Sequence, residues 1–387
     1  MKTIMQILPA LDHSGGGVER GTLDIAKYIA EIGYNSVIVS SGGTMAEKFK
    51  HKGVLHYKLP IQKKSLYSYI ISRKMFGKMI REINPSVIHI RSRWPAFCLN
   101  SLIKKEKIPL VTTYHGTYNG NNFPLKKRYN SVMVEGDRVI AISDFIRDHI
   151  LHHFPDSRKR IRTINRGIDT NYFDIKKVTQ IRKEKFLKDT AIKENKHIIL
   201  LPGRLTPWKG QNVAIDAAKI ISEKYPGIEF VMLFVGSEQN RAKYFRSLKQ
   251  KIIDNNLSQK IFLLGSRSDM ASIYSLSDVV LSTSVEEEAF GRVSAEASSM
   301  SKPIIATNLG GSKNIIKHNQ TGWLVSENNP LLLADTIIKV IKKSQNEKDA
   351  IGKEARKRII MEFGLDMMLK KTLEVYKEVY EEKNIDY

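Results

Sequence analysis

Cysteine is all but missing from this chain: Cys98 stands alone among 387 residues. No internal disulfide can form, which suits a reducing compartment such as the cytoplasm. Long apolar runs are missing as well, and no segment approaches the roughly 18 uncharged apolar residues that a spanning helix requires. The opening MKTIMQILPALDHSGGG has no small-x-small cleavage pattern and reads as a first strand. Several signatures of chemistry are also absent. There is no P-loop, no Gly-x-Ser-x-Gly elbow, no His-Glu-x-x-His run and no cysteine pair to make a metal site. His13, His89 and the pair His152 and His153 lack metal-ligand spacing with one another. Asp-x-Asp, the carboxylate pair that holds a cation on the diphosphate in many metal-dependent sugar transferases, does not occur.

Acidic residues are in deficit, with 40 against 63 lysines and arginines and a formal charge of +23. The excess is uneven: residues 1–170 carry 28 basic against 13 acidic side chains, and residues 171–387 carry 35 against 27. Residues 48–81 hold ten basic residues and no acid, interleaved with Leu66, Ile70, Met75, Phe76, Met79 and Ile80, with Ile83 just beyond. Part of that run can form a basic amphipathic helix able to lie on an anionic membrane, or one whose charged face is simply solvated. The charge also raises a nucleic-acid reading, which would leave the glycine turns and the paired glutamates described below without a role.

The length fits two domains. Short β-branched runs alternate with longer amphipathic segments, the pattern of parallel strands joined by helices. Strands are expected at TIMQILP, SVIVSS, VLHYKLP, SVIHIRS, IPLVTTYH, RVIAIS and RIRTINRG, and again at KHIILLPG, IEFVMLFVG, KIFLLG, DVVLSTS, KPIIAT and GWLV. The fold class is therefore α/β, with two doubly wound Rossmann-like domains expected to face a central cleft: residues 1–170, and residues 196–365. The charged stretch 171–195 reads as the junction. The amphipathic helix in 366–387 is expected to pack back on the first domain.

Candidate site residues each follow a strand, where doubly wound sheets bind ligands. In LDHSGGGVERG, Gly15, Gly16 and Gly17 precede a helix whose N-terminus offers free N–H groups to an anion. The turn resembles a dinucleotide fingerprint, yet several residues separate it from the strand and the next strand ends without the acid that would hold a ribose. GRLTPWKG, residues 203–210, sets Arg204 and Lys209 around a proline-stiffened turn. A planar fork of donors and a compact charge suit a diphosphate that leaves carrying extra negative charge. Glu288 and Glu296, eight apart, can both accept hydrogen bonds from hydroxyls, and Gly291 lets backbone approach a phosphate. Glu286 and Glu287 read as solvated. His115, after IPLVTTY, could orient a sugar or shuttle a proton.

Together SGGGVERGTLDIA, TYHGTY, INRGIDTNYFD, GRLTPWKG, EEEAFGRVSAEA and NLGGSKNIIKHNQTGWLV resemble the retaining glycosyltransferases of family 4, which have the GT-B fold. RSRWPA and EEEAFGRVSAEA look most like an alphaproteobacterial branch that includes lipopolysaccharide core transferases. The resemblance implies that Arg204 and Lys209 bind the donor diphosphate, that Glu288 contacts donor sugar hydroxyls, and that Glu296 holds the ribose. It further implies that amides of Phe290, Gly291, Gly16 and Gly17 complete the donor site and that His115 lies beside the transferred sugar. The implied partners are a nucleotide sugar and a glycan or glycolipid acceptor held by the basic first domain; with Asp-x-Asp absent, Arg204 and Lys209 are expected to serve without a metal, and no cofactor or nucleic acid is expected. One departure is Asn314, where the family often carries a glutamate. An epimerase or hydrolase on the same fold would consume donor without an acceptor.

Overall fold

Among the described residues thirteen short runs rich in Ile, Val, Leu and Phe form strands, and each of the thirteen segments expected from the sequence contains one. The computed structural model describes residues 2–12, 17–190, 192 and 196–385. In the first unit the strands are β1 (Thr3–Ile7), β2 (Asn35–Ser40), β3 (Val54–Lys58), β4 (Val87–Ile90), β5 (Leu110–Tyr114), β6 (Arg138–Ala141) and β7 (Ile161–Thr163). In the second they are β8 (His197–Pro202), β9 (Phe230–Val235), β10 (Ile261–Leu263), β11 (Val279–Ser282), β12 (Ile304–Thr307) and β13 (Trp323–Val325).

The first sheet has the order β3-β2-β1-β4-β5-β6-β7 and the second β10-β9-β8-β11-β12-β13, and every pair is parallel. Strands β1, β4, β5, β9, β11 and β12 are buried along their whole length, as parallel strands covered by helices on both faces must be. Each order reverses direction once, between β1 and β4 and between β8 and β11, so both units are doubly wound Rossmann-like sheets. The core of the second unit joins Ile199, Leu201, Phe230, Met232, Phe234 and Leu281 to the helix faces carrying Ile215, Ala218 and Ile337.

Contacts divide the chain into residues 1–167 with 366–387, and residues 168–365. The chain therefore crosses at Gly167, and the described part of 171–195, read above as a junction, belongs to the second unit. Phe173 is buried, and the helix Gln180–Thr190 buries Phe186 and Leu187 and pairs Arg182 with Asp269 at 2.5 Å. So few apolar residues in so charged a stretch hide a docked helix from pattern reading. The C-terminal helix Leu365–Ile385 joins the first unit through Asp366 onward. Glu378 takes ion pairs from Arg138 and Arg162, Lys383 pairs with Asp137, and Tyr376 reaches the buried His89.

The basic run 48–81 contributes β3 and the helix Leu66–Ile83, opened by a Ser65 cap that accepts from the Ser68 amide. Its apolar residues divide. Phe76, Met79 and Ile80 enter the core, whereas Leu66, Tyr67, Ile70 and Met75 are exposed.

Candidate active site

In the second unit the two segments that flank the switch point are the turn after β8 and the loop after β11. GRLTPWKG turns through a short 3-10 segment, Pro207–Lys209, into the helix Gln211–Lys224. Gly210, at that helix's N-cap, has φ 71°, and a Cβ there would lie 1.9 Å from the Thr283 carbonyl oxygen. Only glycine meets both demands. The contact is fastened by the Thr283 hydroxyl donating to the Lys209 and Gly210 carbonyls, at 3.1 and 3.2 Å, and by the Val285 amide donating to the Trp208 carbonyl at 2.8 Å.

This fastening brings Lys209 Nζ to 2.7 Å from Glu288 Oε1, with both side chains nearly closed to solvent. The Ser284 hydroxyl also donates to Glu288. Trp208 forms the floor, its ring 4.4 Å from Lys209 Nζ and 5.7 Å from the Arg204 guanidinium carbon. Arg204 is exposed and donates to Gln239 Oε1 at 3.2 Å.

The loop after β11 is clasped by the turn after β12. The Gly311 amide donates to the Glu288 carbonyl at 2.7 Å, and Gly291, with φ 87°, approaches Ser312 so closely that a Cβ would lie 2.6 Å from its hydroxyl. Gly291 caps the helix Arg292–Ser299, which carries Glu296. Glu296 is buried; Arg292 Nε donates to its Oε1 at 2.5 Å and the buried Tyr274 hydroxyl to its Oε2 at 2.9 Å. Burial first, then the Glu296 carboxylate, push the Tyr274 phenol well above its ordinary range, so it stays a donor. Phe290 is a core side chain against Phe363, which leaves only its backbone for a ligand. Glu286 and Glu287 are exposed. Asn314 offers its carbonyl to Arg358 Nη2 at 2.8 Å.

Lys209, Glu288, Phe290, Gly291 and Glu296 thus come together on adjacent segments, with Arg204 beside them. Sequence reasoning missed Ser284, Tyr274 and Arg292. Arg292 is legible in principle, four residues before Glu296 on one helix face. Tyr274 carries no local signal.

In the first unit His115 follows β5, and its Nδ1 lies 3.2 Å from Arg166 Nη2. Burial first, then the charges of Arg91 and Arg166 and the neighbouring His89, push the imidazole well below the usual histidine range, so it is neutral. Gly17 opens the helix Gly17–Glu31, and a Cβ on it would lie 1.9 Å from Arg166 Nη1. Gly15 and Gly16 lie outside the described residues, as does His13. Among the described residues no group of three His, Cys, Asp or Glu side chains could hold a metal ion, and no helix is long and apolar enough to cross a membrane.

Known proteins resemble both units. Residues 182–358 match the family model Glycosyl transferases group 1, and residues 15–172 match Glycosyltransferase Family 4. A glycosyltransferase from Rickettsia africae ESF-5, known from a crystal structure, is 35% identical over 98% of both chains with a TM-score of 0.90. The N-acetyl-alpha-D-glucosaminyl L-malate synthase of Bacillus anthracis is 25% identical over 94% of each chain. HepE of Anabaena, crystallised with UDP-glucose, shares the fold at a TM-score of 0.82 and 20% identity, over 98% of this chain and 100% of its own. The chain belongs to the glycosyltransferases of the GT-B type, its first unit of the family 4 kind and its second of group 1.

Proposed function

We propose that this glycosyltransferase moves a hexose-type sugar from a nucleoside diphosphate donor to a glycan or lipid-linked acceptor, with retention and without a metal ion. The observation that carries the reading is Lys209, held 2.7 Å from Glu288 beside Trp208 and Arg204, one helix away from the buried Glu296. A cation on a fixed turn, next to carboxylates able to accept from hydroxyls, matches a ligand with a diphosphate at its middle and hydroxylated rings at both ends. On this reading Lys209 and Arg204 meet the diphosphate charge, Glu288 the sugar hydroxyls and Glu296 the ribose. The family resemblance adds the amides of Phe290, Gly291, Gly16 and Gly17 as donors to phosphate oxygens and His115 as a neighbour of the transferred sugar.

In the reaction the C1–O bond to the diphosphate breaks and the acceptor oxygen bonds to C1 on the same face. The acceptor proton passes to the departing phosphate oxygen, so no protein nucleophile is needed. Removing one preorganised cation from such a site costs about 10²–10³ in rate.

A cell-surface glycan, such as lipopolysaccharide, is the proposed acceptor class. The support is a surface of the first unit on which exposed Leu66, Tyr67 and Ile70 lie among Lys63, Lys64 and Lys74, with exposed Phe123 and Leu125 preceding Lys126 and Lys127. That mixture suits peripheral contact with an anionic membrane, on its cytoplasmic face. Sedimentation with phosphatidylglycerol vesicles, against vesicles of neutral lipid only, tests it.

The deciding experiment is nucleotide release from a panel of UDP-, GDP- and ADP-sugars, with EDTA and without acceptor, beside Lys209→Ala. Slow, Lys209-dependent release from one donor supports the proposal and names the donor. Fast release without acceptor would instead indicate an epimerase or hydrolase. A chelator that abolishes activity overturns metal independence.

A further inference from the structure

Arginine carries donors only, so the 3.2 Å contact between Arg166 Nη2 and His115 Nδ1 requires Nδ1 to accept. The proton of the neutral ring then sits on Nε2, which is buried and has no hydrogen-bond partner among the described residues. We propose that Arg166 is a positioning residue that locks His115 in the Nε2–H tautomer, so that His115 donates a hydrogen bond to a substrate oxygen and does not act as a general base. The substrate oxygen rests on the transferase reading above; the tautomer does not.

The surroundings favour the same state. Arg91 and His89 face the ring from β4 and its end, and Arg166 from beyond β7, so a second proton on His115 would be a buried cation among cations. Glu19, on the helix Gly17–Glu31, faces both arginines, and Tyr376 of the C-terminal helix bonds His89 Nδ1 at 2.6 Å. His89 Nε2 is taken by Thr113 Oγ1 at 2.6 Å, which leaves that ring fully engaged. Gly17 leaves room for the guanidinium, because a Cβ there would lie 1.9 Å from Arg166 Nη1. The cavity bounded by His89, Arg91, His115 and Arg166 is about 20 Å³, room for a single water, so the Nε2 proton reaches the substrate oxygen through that water or through a hydroxyl that takes its place. Turning the ring over to exchange its two nitrogens would give up the Arg166 contact.

Nitrogen-15 spectra of the full-length protein, with His115 assigned by its loss in His115→Gln, read the proton on each ring nitrogen. The wild type is expected to show Nδ1 bare and Nε2 protonated, unchanged between about pH 5 and 8. Arg166→Ala should make the ring titrate in that interval or populate both tautomers, and Arg166→Lys should retain the wild-type pattern. Should Arg166→Ala not fold, Gly17→Ala crowds the same guanidinium and gives the same test. A wild-type ring protonated at Nδ1, or one that titrates in the ordinary histidine range, overturns the proposal. In turnover, Arg166→Ala should lower kcat about 10²-fold, with donor KM changed by less than about threefold and most of the loss restored by Arg166→Lys. A loss carried in KM alone would reduce Arg166 to a binding or structural role. If the wild type turns over no donor, the transferase reading fails while the spectra still decide the tautomer.

Discussion

Lys209 Nζ and Glu288 Oε1 are 2.7 Å apart, with both side chains nearly closed to solvent. Breaking such a pair from one side strands a charge, at a typical cost of about 3–5 kcal/mol for a fully buried pair. Here Ser284 remains as a second partner of Glu288, which softens the loss for Lys209→Ala. We expect Lys209→Ala and Glu288→Ala each to lower stability by roughly 1–3 kcal/mol, and the double variant to lose less than their sum. Urea unfolding of the four proteins measures the coupling. Strict additivity would mean that the two residues do not support each other.

Tyr274 holds Glu296 from outside the site. Tyr274→Phe removes the donor to Glu296 Oε2 and leaves a buried carboxylate oxygen without its partner. The expected loss is about 1–3 kcal/mol, with a rise in donor KM as Glu296 loosens. Denaturant unfolding and donor saturation curves read the two effects, and an unchanged KM would remove Tyr274 from the binding machinery.

Backbone contact at Gly210 makes that position intolerant. Gly210→Ala combines φ 71° with a Cβ 1.9 Å from the Thr283 oxygen. It should destabilise by roughly 1–3 kcal/mol or more and shift Lys209 enough to lower kcat. Gly227→Ala, where a Cβ meets nothing within 4 Å, is the matched control and should be near neutral. Equal melting temperatures for the two variants would contradict the account.

Stability should rise with pH on the alkaline side because of Lys302. Burial pulls its amine down to about 8, whereas an unfolded lysine titrates near about 10.4. Between those values the unfolded chain holds a proton that the folded chain has released, so raising the pH favours folding. Below about 8 both states are protonated and the half-buried charge is a constant cost. Lys302→Met should therefore gain roughly 1–3 kcal/mol at neutral pH and flatten the slope between 8 and 10. A wild-type slope no steeper than the variant's would refute this.

How much of this was legible depends on where the signal sits. Strands buried on both faces announce themselves as short β-branched runs, which is why all thirteen were readable. Turns such as GRLTPWKG were readable because proline, glycine and charge coincide there. The crossing at Gly167 was not, because the helix Gln180–Thr190 has a largely charged face and buries only Phe186 and Leu187. The helix Leu66–Ile83 shows the converse, since spacing alone could not tell that Phe76 turns inward while Leu66 stays 74% exposed. Partners distant in sequence, Tyr274 for Glu296 and Arg166 for His115, are set by sheet order. No local pattern carries them.

The return of the C-terminal helix to the first unit fixes an order of completion. The ribosome finishes every residue of the second unit before it makes Tyr376 and Glu378, the groups that close over His89 and over Arg138 and Arg162. The unit that begins synthesis first is therefore the last that can be sealed. Until residues 376–378 emerge, His89, Arg138 and Arg162 stand without these partners, although every residue of the second unit has already been made.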